Sequence, residues 1–118
     1  MTNARLEILK NEDVFTIAFT DSRILDDTNI NKIGEELFAI VAEHSPVKMI
    51  LDFEKVDYLS SAVLGKLVAL HKKVAKGAGK LVLCGIKPSI LEIFRITKLV
   101  KVFVIRDSLD EAAASLGS

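Results

Sequence analysis

Tryptophan is missing from this chain, cysteine occurs once, proline twice, and neither sign of charge is in excess. Each shortage narrows what the 118 residues can do. The lone Cys84 has no partner for an internal disulfide, and no clustered set of ligands suggests a metal site. Sixteen basic residues balance sixteen acidic ones, so no excess of positive charge points to nucleic acid or to an anionic membrane. Partners should be met through a local surface. No apolar run approaches the roughly 20 residues needed to span a bilayer, and no membrane insertion is expected. Met1 to Arg5 shows no signal-peptide pattern, so a cytoplasmic location is expected. Two histidines, His44 and His71, have no nucleophile or carboxylate placed beside them in sequence, which argues against an enzyme. What the chain has in abundance is hydrophobic residues, half of the total, enough for one domain over 1–118 with a real core.

The chain is organised around Val47 to Leu70. Val47, Met49, Ile50, Leu51 and Phe53 form a short, nearly continuous apolar run, the mark of a central strand covered on both faces. From Ala62 the period changes: Val63, Leu64, Leu67, Val68, Leu70, His71 and Val74 fall at spacings of three and four, one broad face of a helix. Ser60 then occupies the N-cap and Ser61 the first turn, where unpaired N–H groups and the positive end of the helix dipole lie. Two readings of the pair stand at this point. Ser60 caps the helix with Ser61 a solvated neighbour, or Ser61 is a site where a phosphate is accommodated.

Upstream, Leu6, Ile8 and Val14, Phe15, Ile17, Phe19 predict a β-hairpin around the polar residues 10–13. Asp21, Asp26 and Asp27 surround the apolar pair Ile24 and Leu25; capping and turn roles suit these aspartates better than a metal site. Thr28 or Asp27 should cap a helix whose buried stripe is Ile30, Ile33, Leu37, Ile40 and Val41, ending near His44 ahead of Pro46. Lys66, Lys72, Lys73 and Lys76 give the next helix a basic, solvated side. Gly77 and Gly79 should stop it through the left-handed conformation open to glycine. A strand over Lys80 to Ile86 follows, with Cys84 a small core residue. Pro88 starts a third helix carrying Ile90, Leu91, Ile93 and Phe94; Val102 to Ile105 make a last strand. Ser108 and Glu111 have the spacing of a capping box on a terminal helix to Leu116. The expected order is β-β-α-β-α-β-α-β-α, an α/β domain with a mixed sheet and four helices.

The run Val56, Asp57, Tyr58, Leu59, Ser60, Ser61, Ala62, Val63, Leu64, Gly65 resembles the phosphorylation segment of STAS domains, the anti-sigma factor antagonists. Leu81 to Pro88, with Ile90, Phe94, Leu99 and Val104, resembles that family's fourth strand, third helix and closing strand. The likeness runs from about Leu6 to Leu116. The family usually has Asp, then the acceptor serine, then Ser, Thr or Ala, then Gly; here Ser60 stands at the Asp position and Val63 at the Gly position. The resemblance implies a STAS-like fold and a partner-switching cycle without cofactors. An anti-sigma factor serine kinase would phosphorylate Ser61, a PP2C-type phosphatase would reverse it, and the unmodified form would bind the kinase. The implied partner-binding residues are Asp26, Ser60, Ser61, Ala62, Val63 and Leu64, on a monomer or weak homodimer. The missing Asp and Gly also fit an alternative, a STAS subunit docked permanently on a larger assembly such as a lipid-transport ATPase or a stress-signalling complex.

Overall fold

The computed structural model describes residues 6–21, 23–24 and 27–116, with backbone only for 27–29. β1 (Leu6–Asn11) and β2 (Val14–Phe19) form the expected hairpin, closed by a turn in which Glu12 takes a positive φ of 59°. α1 runs from Asp27 to Glu43, so both expected caps, Thr28 and Asp27, lie inside the helix rather than ahead of it. β4 (Lys48–Asp52), α2 (Ser61–Lys76), β6 (Lys80–Cys84), α3 (Pro88–Ile96), β7 (Val104–Arg106) and α4 (Leu109–Ser115) complete the alternation. Two further strands are two residues each: β3 (Arg23–Ile24) and β5 (Tyr58–Leu59) pair in parallel as a separate small sheet.

The main sheet has the order β1-β2-β4-β6-β7, antiparallel at the hairpin and parallel beyond it. β4 is its middle strand, as its unbroken apolar run requires, because successive side chains leave a strand on opposite faces. Met49 and Leu51 enter the larger core with Ile33 and Leu37 of α1 and Leu67 and Leu70 of α2. Ile50 enters a second cluster with Val82, Cys84, Ala112 and Leu116, where α4 covers the other face.

Three local expectations are corrected. The left-handed residue after α2 is Ala78, at φ 64°, whereas Gly77 sits at φ −89°. The glycines are needed for space instead: a Cβ on Gly79 would lie 2.3 Å from the Val47 carbonyl oxygen. The last strand begins at Val104, two residues late, because Leu99–Lys101 forms a 3₁₀ turn whose Leu99 carbonyl accepts from the amides of Val102 and Phe103. Phe103 is thereby aimed at Phe94 and His71, with ring centroids 5.9 and 5.5 Å away. Ile93, expected on the buried side of α3, is exposed, while Ile90 and Phe94 carry the packing.

At α4 the Ser108 hydroxyl accepts from the Glu111 amide at 3.2 Å, and the Glu111 carboxylate reaches back to the amide of Asp107 rather than that of Ser108. Ser108→Ala should therefore lower the unfolding free energy by about 1 kcal/mol in urea titrations. Serine-to-glycine at the same position should lose only a few tenths of that unit.

Candidate functional site

The segment that carries Ser61 is fastened at several points between β4 and α2. The Phe53 amide donates to the Cys84 carbonyl at 2.9 Å, and the Val56 amide turns back to the Phe53 carbonyl at 2.9 Å. Phe53 and Val56 are both fully buried. Lys87, just ahead of α3, reaches across to the Asp57 carboxylate at 3.1 Å and to the Glu54 carbonyl. β5 then pairs with β3, and the Ser60 amide extends that ladder by donating to the Ile24 carbonyl at 3.1 Å.

Ser60 has the extended backbone of an N-cap, φ −88° and ψ 166°, and its carbonyl accepts from the Val63 amide at 3.0 Å. Its side chain departs from expectation. The hydroxyl makes no capping hydrogen bond; it is buried and has no hydrogen-bond partner among the described residues. The start of α2 thus has neither a side-chain cap nor an acidic residue in its first turn. Ser61, the first helical residue, is exposed. A group of negative charge there would meet the positive end of a 16-residue helix.

The STAS domain family model matches residues 5–112. This chain belongs to the STAS domain family.

Among relatives of this STAS domain is BtrV of Bordetella bronchiseptica, named as an anti-sigma factor antagonist, at 32% identity over 92 residues, 78% of either chain. The fold of this chain is similar to that of an anti-sigma factor antagonist (STAS) domain protein of Planctomyces limnophilus, with a TM-score of 0.86 at 22% identity over 96% of this chain and 98% of the other. SpoIIAA of Bacillus, solved in its phosphorylated form, is similar in fold with a TM-score of 0.72 at 14% identity, over 93% of this chain and 96% of the other.

Not every residue expected at the partner surface of this STAS domain is available there. Ser61 and Ala62 are exposed, but Val63 and Leu64 are 4% and 7% exposed and belong to the core. They stand on the inward stripe of α2, so Val63 fills interior space rather than adding bulk to an outer surface. Asp26 lies outside the described residues. Beside Ser61 the outward positions are Ala62 and Gly65, and a Cβ on Gly65 would meet nothing within 4 Å. The register of the small sheet adds an exposed pair that sequence reasoning missed: Arg23 opposite Tyr58, its guanidinium 4.7 Å from the ring centroid. Two-residue strands show no periodicity, so only the polar and aromatic types of Arg23 and Tyr58 could have hinted at it.

The remaining candidates are structural. His71 packs edge-on against Phe103, and His44 against Phe15 at 4.7 Å. Part of the basic side of α2 is occupied, with Lys73 over the Phe38 ring and the Lys66 stem beside Gly34. Cys84 is fully buried, and burial first, then the charges of Asp52 and Glu54, push its thiol up to about 12. A thiol-specific reagent at pH 8 should therefore label Cys84 only as fast as the chain unfolds, and labelling in urea should track the unfolding transition. The sign in alkali follows. Between about 9 and 12 the unfolded chain releases this proton and the folded one keeps it, so stability falls as pH rises, less so in Cys84→Ala.

Proposed function

We propose that this STAS domain is an anti-sigma factor antagonist that works by partner switching, with Ser61 as the switch. Unmodified, it binds an anti-sigma factor that is also a serine kinase; phosphorylation of Ser61 releases it, and a PP2C-type phosphatase restores binding. The chain is substrate and ligand in this cycle and performs no chemistry of its own.

The observation that carries the reading is the exposed Ser61 at the start of α2, which has no side-chain cap among the described residues. Phosphorylation adds roughly −1.5 to −2 charge and three strong acceptors. The positive helix end accommodates that charge on the free domain, so the fold need not change. A partner packed over Ser61, Ala62 and Gly65 would instead have to bury a dianion, which is unfavourable without compensating hydrogen bonds. The name of BtrV, a relative at 32% identity, supports the same class of function.

Intact mass and peptide mapping of the protein from its native cell, with and without stress, tests the switch. Phosphate on Ser61 whose occupancy changes between conditions supports it. An unmodified Ser61 under all conditions, with the protein co-purifying in a large complex, would replace it with a permanent docking subunit.

A further inference from the structure

The balance of sixteen basic and sixteen acidic residues conceals a separation. Between Asp57 and Asp107 there are ten basic residues and one acidic residue, Glu92, while the rest of the chain carries fifteen acidic residues and six basic ones. The topology then sorts these charges by position. β2, β4, β6 and β7 are parallel, so α1, α2 and α3 each return the chain to the end of the sheet where those strands begin. α2 ends there in Lys76 and β6 starts there with Lys80. α3 delivers Arg95 and Ile96 to the same end, followed by Lys98 and Lys101 at either end of the 3₁₀ turn. Ser61 begins α2 at the opposite end, about 24 Å away by the rise of a 16-residue helix.

An apolar side chain stands out among these cations. Ile96 is 72% exposed, more than any other large apolar residue described, while Ile90 and Phe94 of the same helix face the core. Ile93, one turn before it, and Val102, just after the 3₁₀ turn, are exposed as well. Lys98 and Lys101 are exposed, and no carboxylate pairs with either among the described residues. Arg95 meets Glu92 of its own helix at 3.4 Å, an exposed pair of the kind that contributes little. Glu12, Asp13 and Glu43 also lie at this end, but they precede β4 in the chain and sit on the hairpin side, with Asp13 paired to Lys48 at 3.4 Å.

The mixture of side chains narrows the occupant. A nucleic acid would engage the lysines but draw nothing from Ile96. Protein interfaces favour aromatic anchors and few lysines, and the aromatic residues here, Phe94 and Phe103, are buried. A bilayer surface demands less shape: long cationic side chains reach its phosphates while a neighbouring aliphatic one dips below them. No helix among the described residues is long and apolar enough to cross a membrane, so such a contact is peripheral. We propose that this basic end of the domain docks on an anionic phospholipid surface, with Arg95, Lys98 and Lys101 on headgroup phosphates and Ile96 at the acyl boundary. Docked in this way, the domain holds Ser61 away from the lipid, open to a protein partner.

The test measures sedimentation of the full chain with phosphatidylcholine vesicles, with and without about 40% phosphatidylglycerol. The expected result is binding to the anionic vesicles alone, lost in about 0.5 M salt, where screening is strong. At about fivefold per cation near such a surface, Lys98→Gln with Lys101→Gln should weaken binding about 25-fold. Ile96→Ser should weaken it about tenfold. All three positions are exposed, so circular dichroism should show both variants folded. Lys55→Gln, which lies beyond β4 at the opposite end, and Ser61→Asp should each change it by less than about twofold, which separates the site from the phosphorylation switch. Absence of binding to the anionic vesicles, equal binding to the neutral ones, or undiminished binding by Ile96→Ser would overturn the proposal. So would tighter binding of duplex DNA than of the vesicles, which would assign the lysines to a nucleic acid, or a dimer that Ile96→Ser dissolves, which would assign the patch to a second copy of the chain.

Discussion

Phe53→Ala should lower the unfolding free energy by about 3–5 kcal/mol, the range for deleting a buried aromatic side chain. Phe53 is fully buried, its ring centroid lies 4.8 Å from that of Phe19, and it ends the run that begins in the central strand. The cavity left behind has walls made by a sheet and packed helices, so collapse can recover only part of the loss. Urea titrations would show the midpoint falling with an unchanged slope, since the surface exposed on unfolding is nearly the same. Phe53→Leu, which retains much of the volume, should lose clearly less. A drop of under about 1 kcal/mol for Phe53→Ala would mean that this side chain does not hold the start of the Ser61 segment.

Ser61→Asp should weaken the complex with the cognate anti-sigma factor by about a hundredfold, equivalent to roughly 2.7 kcal/mol. The same change should leave the free domain as stable as before or more so, by about 0.3–1 kcal/mol, because a carboxylate in the first turn of α2 interacts favourably with the helix dipole. That opposition of signs is the informative part. Isothermal titration against the partner and thermal unfolding of the free domain would measure both sides. Ser61→Ala should keep binding and lose regulation. If Ser61→Asp destabilised the fold and binding to the same extent, general disruption would explain the effect and the switch would fail.

Much of this arrangement could be read from residue order. The spacing of Leu67, Leu70 and Val74 predicts α2, the runs at Met49–Leu51 and Leu81–Cys84 predict buried strands, and the Ser60–Ser61 boundary falls where the helix begins. The same spacing also predicts that Val63 and Leu64 face inward. It was the better guide for those two residues than motif likeness, which placed them on the partner surface. What could not be read depends on contacts distant in sequence. β3 and β5 are too short to establish a period and exist because each supplies the other's hydrogen bonds. The start of β7 depends on where a 3₁₀ turn releases the chain. The inward-lying Ser60 hydroxyl is a rotamer choice, and composition alone favours the capping alternative.

The pairing of Ile24 with Leu59 joins positions far apart in sequence through very few bonds. Such a closure carries most of the entropy loss of a long loop and little of the enthalpy of a full ladder. It should form after the central strands have assembled and open before they do. Amide hydrogen exchange should therefore find the Ser60 N–H released through local opening, while the amides of Met49 to Leu51 exchange only with global unfolding. The residue next to Ser61 would then be a native-state reporter: a partner or a phosphate that tightens this clasp would slow exchange at Ser60 without altering it at the centre of the sheet.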